Sequence, residues 1–266
     1  MGADSLFYPY YCEQERYLRE ISAKRRLKMY SIGKSVLGRD ILAVDIGESH
    51  CRGLVVGGVH GTEYLTVLAA LKFAGEYACD PRSLSLTIVP CLNPDGTEIA
   101  LTRIIYWQAN QNGVDINHNF DADWENVKRR ERELGISSPS PSRYGGERPE
   151  SEPETRALVR LCRNVRFERV LALHSQGREI YWDFGKSTPF CCLALAEKMA
   201  EVSGYKVAEP EPIATGGGFK DWFIERFHRC GFTVEMGLGK NPLPLSDFEA
   251  EYPRVKNLLN IFAGLC

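Results

Sequence analysis

The chain has 266 residues with 33 Lys+Arg against 35 Asp+Glu, a formal net charge of −2. That balance lacks the basic excess of a nucleic-acid binder, and no stretch reaches the ~18 consecutive apolar residues of a membrane helix. With 44% hydrophobic and 26% charged residues, it has the composition of an ordinary globular chain, long enough for one large α/β domain.

A helical pattern opens the chain from about Cys12 to Lys24, within an N-terminal helical segment, residues 1–29, expected to pack on the domain that follows. Lys28 to Ile32 and Ile41 to Ile46 are β-branched runs joined by a Gly-containing turn, a hairpin signal. Gly53 to Val59 reads as a buried strand leading into His60, and Thr62 to Ala78 carries Leu65, Leu68, Ala69 and Leu71 at a helical period. Further strands are expected over Leu84 to Leu92, closed by the turn Asn93-Pro94-Asp95-Gly96, then Val170 to Leu173 and Phe232 to Val234. Helices are expected over Glu152 to Asn164, Pro189 to Val202, Gly218 to Arg229 and Phe248 to Phe262. The first of these starts at Ser151-Glu152-Pro153-Glu154, read as a Ser cap with Glu154 closing a capping box. Strands alternating with helices predict an α/β domain over residues 30–266, a central mixed, mostly parallel, twisted sheet with helices on both faces. One segment breaks the rhythm: Gly135 to Pro149 is a long loop rich in Ser, Pro, Gly and Arg, a length that is often functional in a compact domain.

The nine cysteines are odd in number, Cys191 and Cys192 are adjacent, and no C-x-x-C pair exists. No disulfide framework is expected, and each cysteine reads as a small buried hydrophobe. The first 26 residues lack the apolar core of a secretory signal. Together these features predict a reducing, cytoplasmic location.

Three strand ends carry polar residues: His60 and Glu63 after the first buried strand, His174 after another, and Glu235 after a third. Ligands of open α/β sheets gather at the carboxyl ends of strands, so these residues can converge at one crevice. Two His and one carboxylate form the set that holds a catalytic zinc with one position open, leaving Glu235 over as a base. His-x-x-Glu is common by chance, however, and a lone His at a strand end is more often a hydrogen-bonded structural residue than a ligand. The residue types alone leave both readings standing.

Several motifs occur together in one order: Gly58-Val59-His60-Gly61-Thr62-Glu63, Asn93-Pro94-Asp95-Gly96, Gly113-Val114-Asp115-Ile116-Asn117-His118-Asn119-Phe120, Ser151-Glu152-Pro153-Glu154-Thr155, Leu173-His174-Ser175 and Thr233-Val234-Glu235. In this series the chain resembles the zinc metallocarboxypeptidases of the carboxypeptidase A type, from about Tyr30 to the C-terminus. The resemblance implies a hydrolase with one zinc ion held by His60, Glu63 and His174, and Glu235 as the general base on a metal-activated water. It also implies that Asp115 orients the first zinc His from behind. The family's oxyanion-stabilising Arg falls between the second and third motifs, where Arg103 is the one basic residue between Thr97 and Ile116.

Two departures bear on specificity. Digestive members carry Asn-Arg-Asn in the middle motif, with the Arg clamping the substrate's terminal carboxylate. Here the motif is Asn117-His118-Asn119, and an imidazole cannot make that fork, although Asn117 can still bind a carboxylate or amide. Aligning the turn before Asp221-Trp222 places Lys220 at the base of the specificity pocket, where a cation selects an acidic group. These features, with the segment His174 to Trp182 and its Tyr181, look like the bacterial γ-D-glutamyl-diamino acid peptidase branch. The implied substrate is a small muropeptide-like peptide cut between D-Glu and meso-diaminopimelate. The alternatives are a carboxypeptidase removing acidic C-terminal residues, an aspartoacylase-like deacylase, and a non-catalytic zinc-binding module.

Overall fold

The computed structural model describes residues 8–81 and 83–264. In chain order the elements are α1 (Tyr11–Arg25), β1 (Lys28–Lys34), β2 (Asp40–Ile46), β3 (Arg52–Val56), α2 (Tyr64–Tyr77), β4 (Ser85–Val89), α3 (Pro94–Arg103), α4 (Trp124–Glu133) and α5 (Pro153–Asn164). They continue with β5 (Arg169–His174), β6 (Glu179–Tyr181), α6 (Cys191–Ser203), β7 (Lys206–Val207), α7 (Phe219–Phe227), β8 (Cys230–Glu235) and α8 (Phe248–Gly264).

The strands form one eight-stranded sheet in the order β1-β2-β4-β3-β5-β8-β6-β7. Its centre, β4-β3-β5-β8, is parallel, and antiparallel pairings join β1 to β2, β2 to β4 and β6 to β8. β4 and β5 are buried along their whole length, as expected of parallel strands covered on both faces. Alternation divides the core in two. Val55, Leu171 and Leu173 face a cluster completed by α2, α6 and α8, whereas Leu54, Val56, Val170 and Ala172 face one completed by α5 and α7.

Two helices escape the periodicity. Asn-Pro-Asp-Gly is the start of α3 rather than a turn: Pro94 sits in its first turn, and the Asn93 side chain accepts the Gly96 N–H at 2.9 Å. Asn at the cap and Pro just inside it are ordinary helix-start chemistry. α4 is short and highly charged and anchors through Trp124 and Val127. The expected capping box at α5 does not form. Ser151 donates to Glu152 instead, while Glu154 accepts from Val36 N and Asn110 Nδ2, both at 3.0 Å.

Fully buried, Glu154 has its carboxyl pushed up to about 7 by desolvation, which outweighs those two hydrogen bonds and a third from its own backbone N–H. An unfolded chain sheds that proton near 4.5, so between about pH 4.5 and 7 the native state holds more protons and stability falls as pH rises, by about 3 kcal/mol. Denaturant midpoints measured from pH 4.5 to 8 should show this component, and Glu154→Gln should lose it whatever its effect on absolute stability.

The cysteine expectation is corrected. Cys192 and Cys230 form a disulfide that ties α6 to the start of β8, with Cα atoms 5.4 Å apart. Cys12, Cys79 and Cys191 are exposed rather than buried, and only Cys91 and Cys162 of the described free thiols fit the buried-hydrophobe reading. The cysteine argument for a reducing compartment loses its premise. No helix among the described residues is long and apolar enough to cross a membrane.

Candidate metal centre and active site

Sheet order brings the site together. β3, β5 and β8 lie side by side and parallel, so their carboxyl ends open on one crevice, and the β5–β8 register sets His174 directly beside Glu235. His60 follows β3 through a loop that only glycine permits. Gly58 adopts φ +56°, and a Cβ on Gly61 would lie 2.3 Å from Gly96 O and 2.6 Å from Trp107 O, both rigid backbone. Glu63 precedes the first residue of α2, so the helix fixes the turn that carries both His60 and Glu63.

The three side chains converge. His60 Nδ1 lies 2.8 Å from Glu63 Oε1, His174 Nδ1 lies 3.0 Å from Glu63 Oε2, and the two Nδ1 atoms are 3.3 Å apart. A tetrahedral ion with ligand bonds of about 2.0–2.1 Å spaces its ligand atoms about 3.3 Å apart. Two imidazole nitrogens meeting a carboxylate at these separations is an arrangement that calls for a cation among them. The donor set therefore fits zinc. Behind it, Asp115 holds His60 Nε2 at 3.0 Å, while His174 Nε2 is buried without a hydrogen-bond partner among the described residues.

The electrostatics agree. Burial alone would lower the His60 pKa, but Glu63 and Asp115 overcome it and push it well above the usual imidazole range. Desolvation would raise Glu63 and Asp115; the imidazoles flanking them, and for Asp115 the Arg143 N–H as well, hold both carboxyls below their ordinary values. Glu235 behaves differently. Desolvation first and the Glu63 charge second push its carboxyl well above the usual range. A carboxylate whose proton affinity is raised beside a metal site is suited to take and return a proton.

These residues line a cavity of about 160 Å³, whose wall also includes Asn117, His118, Tyr181 and Lys220. Asn117 N–H donates to Asp115 Oδ1, and its side-chain oxygen accepts from Phe219 N. Tyr181 O–H donates to Glu179 Oε2 at 2.7 Å. Lys220 lines the cavity but is only 5% exposed; its ammonium donates to Asp183 O at 2.6 Å and pairs with Asp221. Because Asp221 is 3% exposed, Lys220→Met strands a buried charge and should cost about 3–5 kcal/mol. A denaturant titration reading less than 1 kcal/mol would mean that Asp221 is otherwise satisfied.

Arg103 is where sequence and structure part. It is exposed in the last turn of α3 and does not line the cavity. Gln108 and Arg143 do, and sequence reasoning missed both. Arg143 lies in the loop whose length and composition marked it as functional, so the signal was present but not resolved to a residue.

A catalytic-type His₂Glu centre with a carboxylate on the neighbouring strand, at the carboxyl edge of this sheet, defines a zinc metallopeptidase. The chain belongs to the zinc carboxypeptidase family, peptidase M14, whose sequence model matches residues 14–256. The γ-D-glutamyl-L-diamino acid endopeptidase 1 of Lysinibacillus sphaericus is 36% identical, aligned over 88% of this chain and 66% of its own length, so the chain spans just under two thirds of that relative. Murein peptide amidase A of Escherichia coli K12 is 28% identical over 74% of this chain and 77% of its own. Among solved structures, bovine thrombin-activatable fibrinolysis inhibitor in complex with tick carboxypeptidase inhibitor superposes with a TM-score of 0.82 at 21% identity, covering 97% of this chain and 96% of that one. That likeness establishes the fold.

Proposed function

We propose that the protein hydrolyses the γ-D-glutamyl-diamino acid bond of small peptidoglycan-derived peptides, with His60, Glu63 and His174 as zinc ligands and Glu235 as general base. The observation that carries the chemistry is the pairing of Glu235 with His174 across the β5–β8 ladder, one strand from the His-Glu-His cluster. When bound, zinc supplies a Lewis acid that polarises both the attacking water and the scissile carbonyl. Glu235 takes a proton from that water and delivers it to the leaving amine. Asp115 keeps His60 oriented with Nδ1 facing the cluster.

Substrate class is inferred from the Lysinibacillus relative together with the cations of the cavity wall. Lys220 is committed to Asp221 and Asp183, so it shapes the floor and contributes positive potential rather than a free contact. His118 turns its Nδ1 to Arg143 O at 3.0 Å, so the middle motif no longer presents a cation for strict C-terminal recognition. In the cytoplasm, such an activity would act on imported stem peptides.

Mass spectrometry of a digest of L-Ala-γ-D-Glu-meso-diaminopimelate tests this reading. Release of free diaminopimelate and L-Ala-D-Glu is expected. An intact tripeptide alongside cleaved N-acyl dipeptides ending in Asp or Glu would instead make the protein an acidic-residue carboxypeptidase.

A further inference from the structure

We infer that Arg143 is the cation that receives a substrate carboxylate flanking the scissile amide, in place of the arginine that the Asn117-His118-Asn119 motif lacks. The inference rests on the peptidase reading of the site and names the residue that selects its substrate.

Four observations converge. Arg143 lines the metal cavity together with His60, Asp115 and Glu235. Its backbone is held at both ends by residues of the site: its N–H donates to Asp115 Oδ2 at 2.8 Å, and its carbonyl lies 3.0 Å from His118 Nδ1. It adopts φ +67°, a conformation that costs a non-glycine residue free energy and is typical of functional positions that the surroundings over-determine. Finally, the Arg143 guanidinium has no hydrogen-bond or ion-pair partner among the described residues, although the cavity holds Glu63, Asp115 and Glu235. The other cation of the wall, Lys220, is already neutralised by Asp221.

An arginine fixed by its backbone, half-buried at the cavity wall and with no protein partner for its guanidinium among the described residues, is arranged for a planar anion from outside, and a carboxylate is the anion it can grip with two parallel bonds. The proposed substrate has two such groups next to the bond cut, the free α-carboxylate of the D-Glu and the α-carboxylate of the diamino acid.

The test compares wild type, Arg143→Gln and Arg143→Lys on a Glu235→Gln background for binding by calorimetry, and on the native background for kcat and KM. The probes are L-Ala-γ-D-Glu-meso-diaminopimelate, its form amidated at the D-Glu α-carboxylate, its form amidated at the diamino acid α-carboxylate, and a simple N-acyl dipeptide with its C-terminal amide. Metal content confirms that each variant retains its centre. Arg143→Gln should weaken binding of the full acid and raise KM about 10–100-fold, as expected for a lost charge-assisted pair. The same variant should scarcely change binding of whichever amidated form lacks the gripped carboxylate, which identifies the source. Arg143→Lys should recover part of the loss. Equal effects on acid and amides, or a fall in kcat with binding unchanged, would overturn the inference and assign Arg143 to the transition state or to loop structure. If wild type ignores every γ-glutamyl probe but binds the N-acyl dipeptide acid in an Arg143-dependent way, the substrate reading falls and Arg143 keeps its role.

Discussion

Glu235→Gln should leave a folded, metal-loaded protein that binds substrate but turns it over about 10²–10⁴-fold more slowly, the range by which a positioned general base accelerates a reaction. The amide keeps the shape of the side chain and cannot accept the proton. Its effect on stability should have the opposite sign to its effect on rate. Burial and the Glu63 charge disfavour the ionised form of Glu235, and His60 offsets them only in part. Replacing the carboxyl with a neutral amide should therefore leave the thermal midpoint of the metal-free protein unchanged or higher. Zinc content, kcat and a melting curve of the metal-free sample check all three parts. A variant that keeps more than a tenth of wild-type kcat would move the base elsewhere, and Glu179, paired with Glu235 across the β6–β8 ladder, is the next carboxylate to substitute.

Stripping the metal with a chelator should abolish hydrolysis, and one equivalent of zinc per chain should restore it. The physical cost extends beyond catalysis. The cluster packs Glu63 and Asp115 around His60 in a site where each is almost wholly buried, so without a cation the fold must retain a proton there or carry uncompensated charge. Zinc at 100 times its dissociation constant stabilises by about 2.7 kcal/mol, worth about 5–10 °C in midpoint for a domain near this size. Paired melting curves with and without zinc give that shift directly. His174→Ala should reproduce the metal-free curve and not respond to added zinc. A full response from that variant would remove His174 from the ligand set.

Much of this was legible in the sequence for identifiable reasons. Buried parallel strands are dense apolar runs, so β3, β5 and β8 are visible in the sequence; β5 and β8 end on the polar residues His174 and Glu235, whereas β3 ends at Val56 and a three-residue loop carries the chain to His60. That is why His174 and Glu235 could be placed at strand ends, and His60 just beyond one, before any geometry was known. The hairpin β1–β2 and helices α2, α5, α6, α7 and α8 followed from period and turn residues. What stayed hidden depended on contacts between distant segments. α3 looked like a turn because its cap, Asn93, is also a turn former. β6 and β7, of three and two residues, are too short to carry a period. The Cys192–Cys230 bond pairs residues 38 apart that no spacing rule connects. Arg103 holds the expected place between the two motifs, but the last turn of α3 points it to solvent. Arg143 enters from a loop whose path is set by its own N–H donating to the Asp115 carboxylate and by the Tyr144 carbonyl accepting the Asp115 N–H, which no local pattern encodes.

Asp115 has a further consequence. One carboxylate grips His60 Nε2 with Oδ1, receives the Asn117 N–H on the same oxygen and the Arg143 N–H on Oδ2. The imidazole that faces the metal and the backbone that presents the guanidinium thus share a single support, and whatever stiffens one stiffens the other. If binding at the two places is coupled through this support, the coupling is reciprocal: ion uptake should favour the anion-receiving geometry to the same degree that an anchored anion favours retention of the ion. Asp115→Asn keeps the size of this support but removes its charge and one of its two acceptors, so it should loosen both grips at once and leave metal affinity and substrate affinity to vary independently.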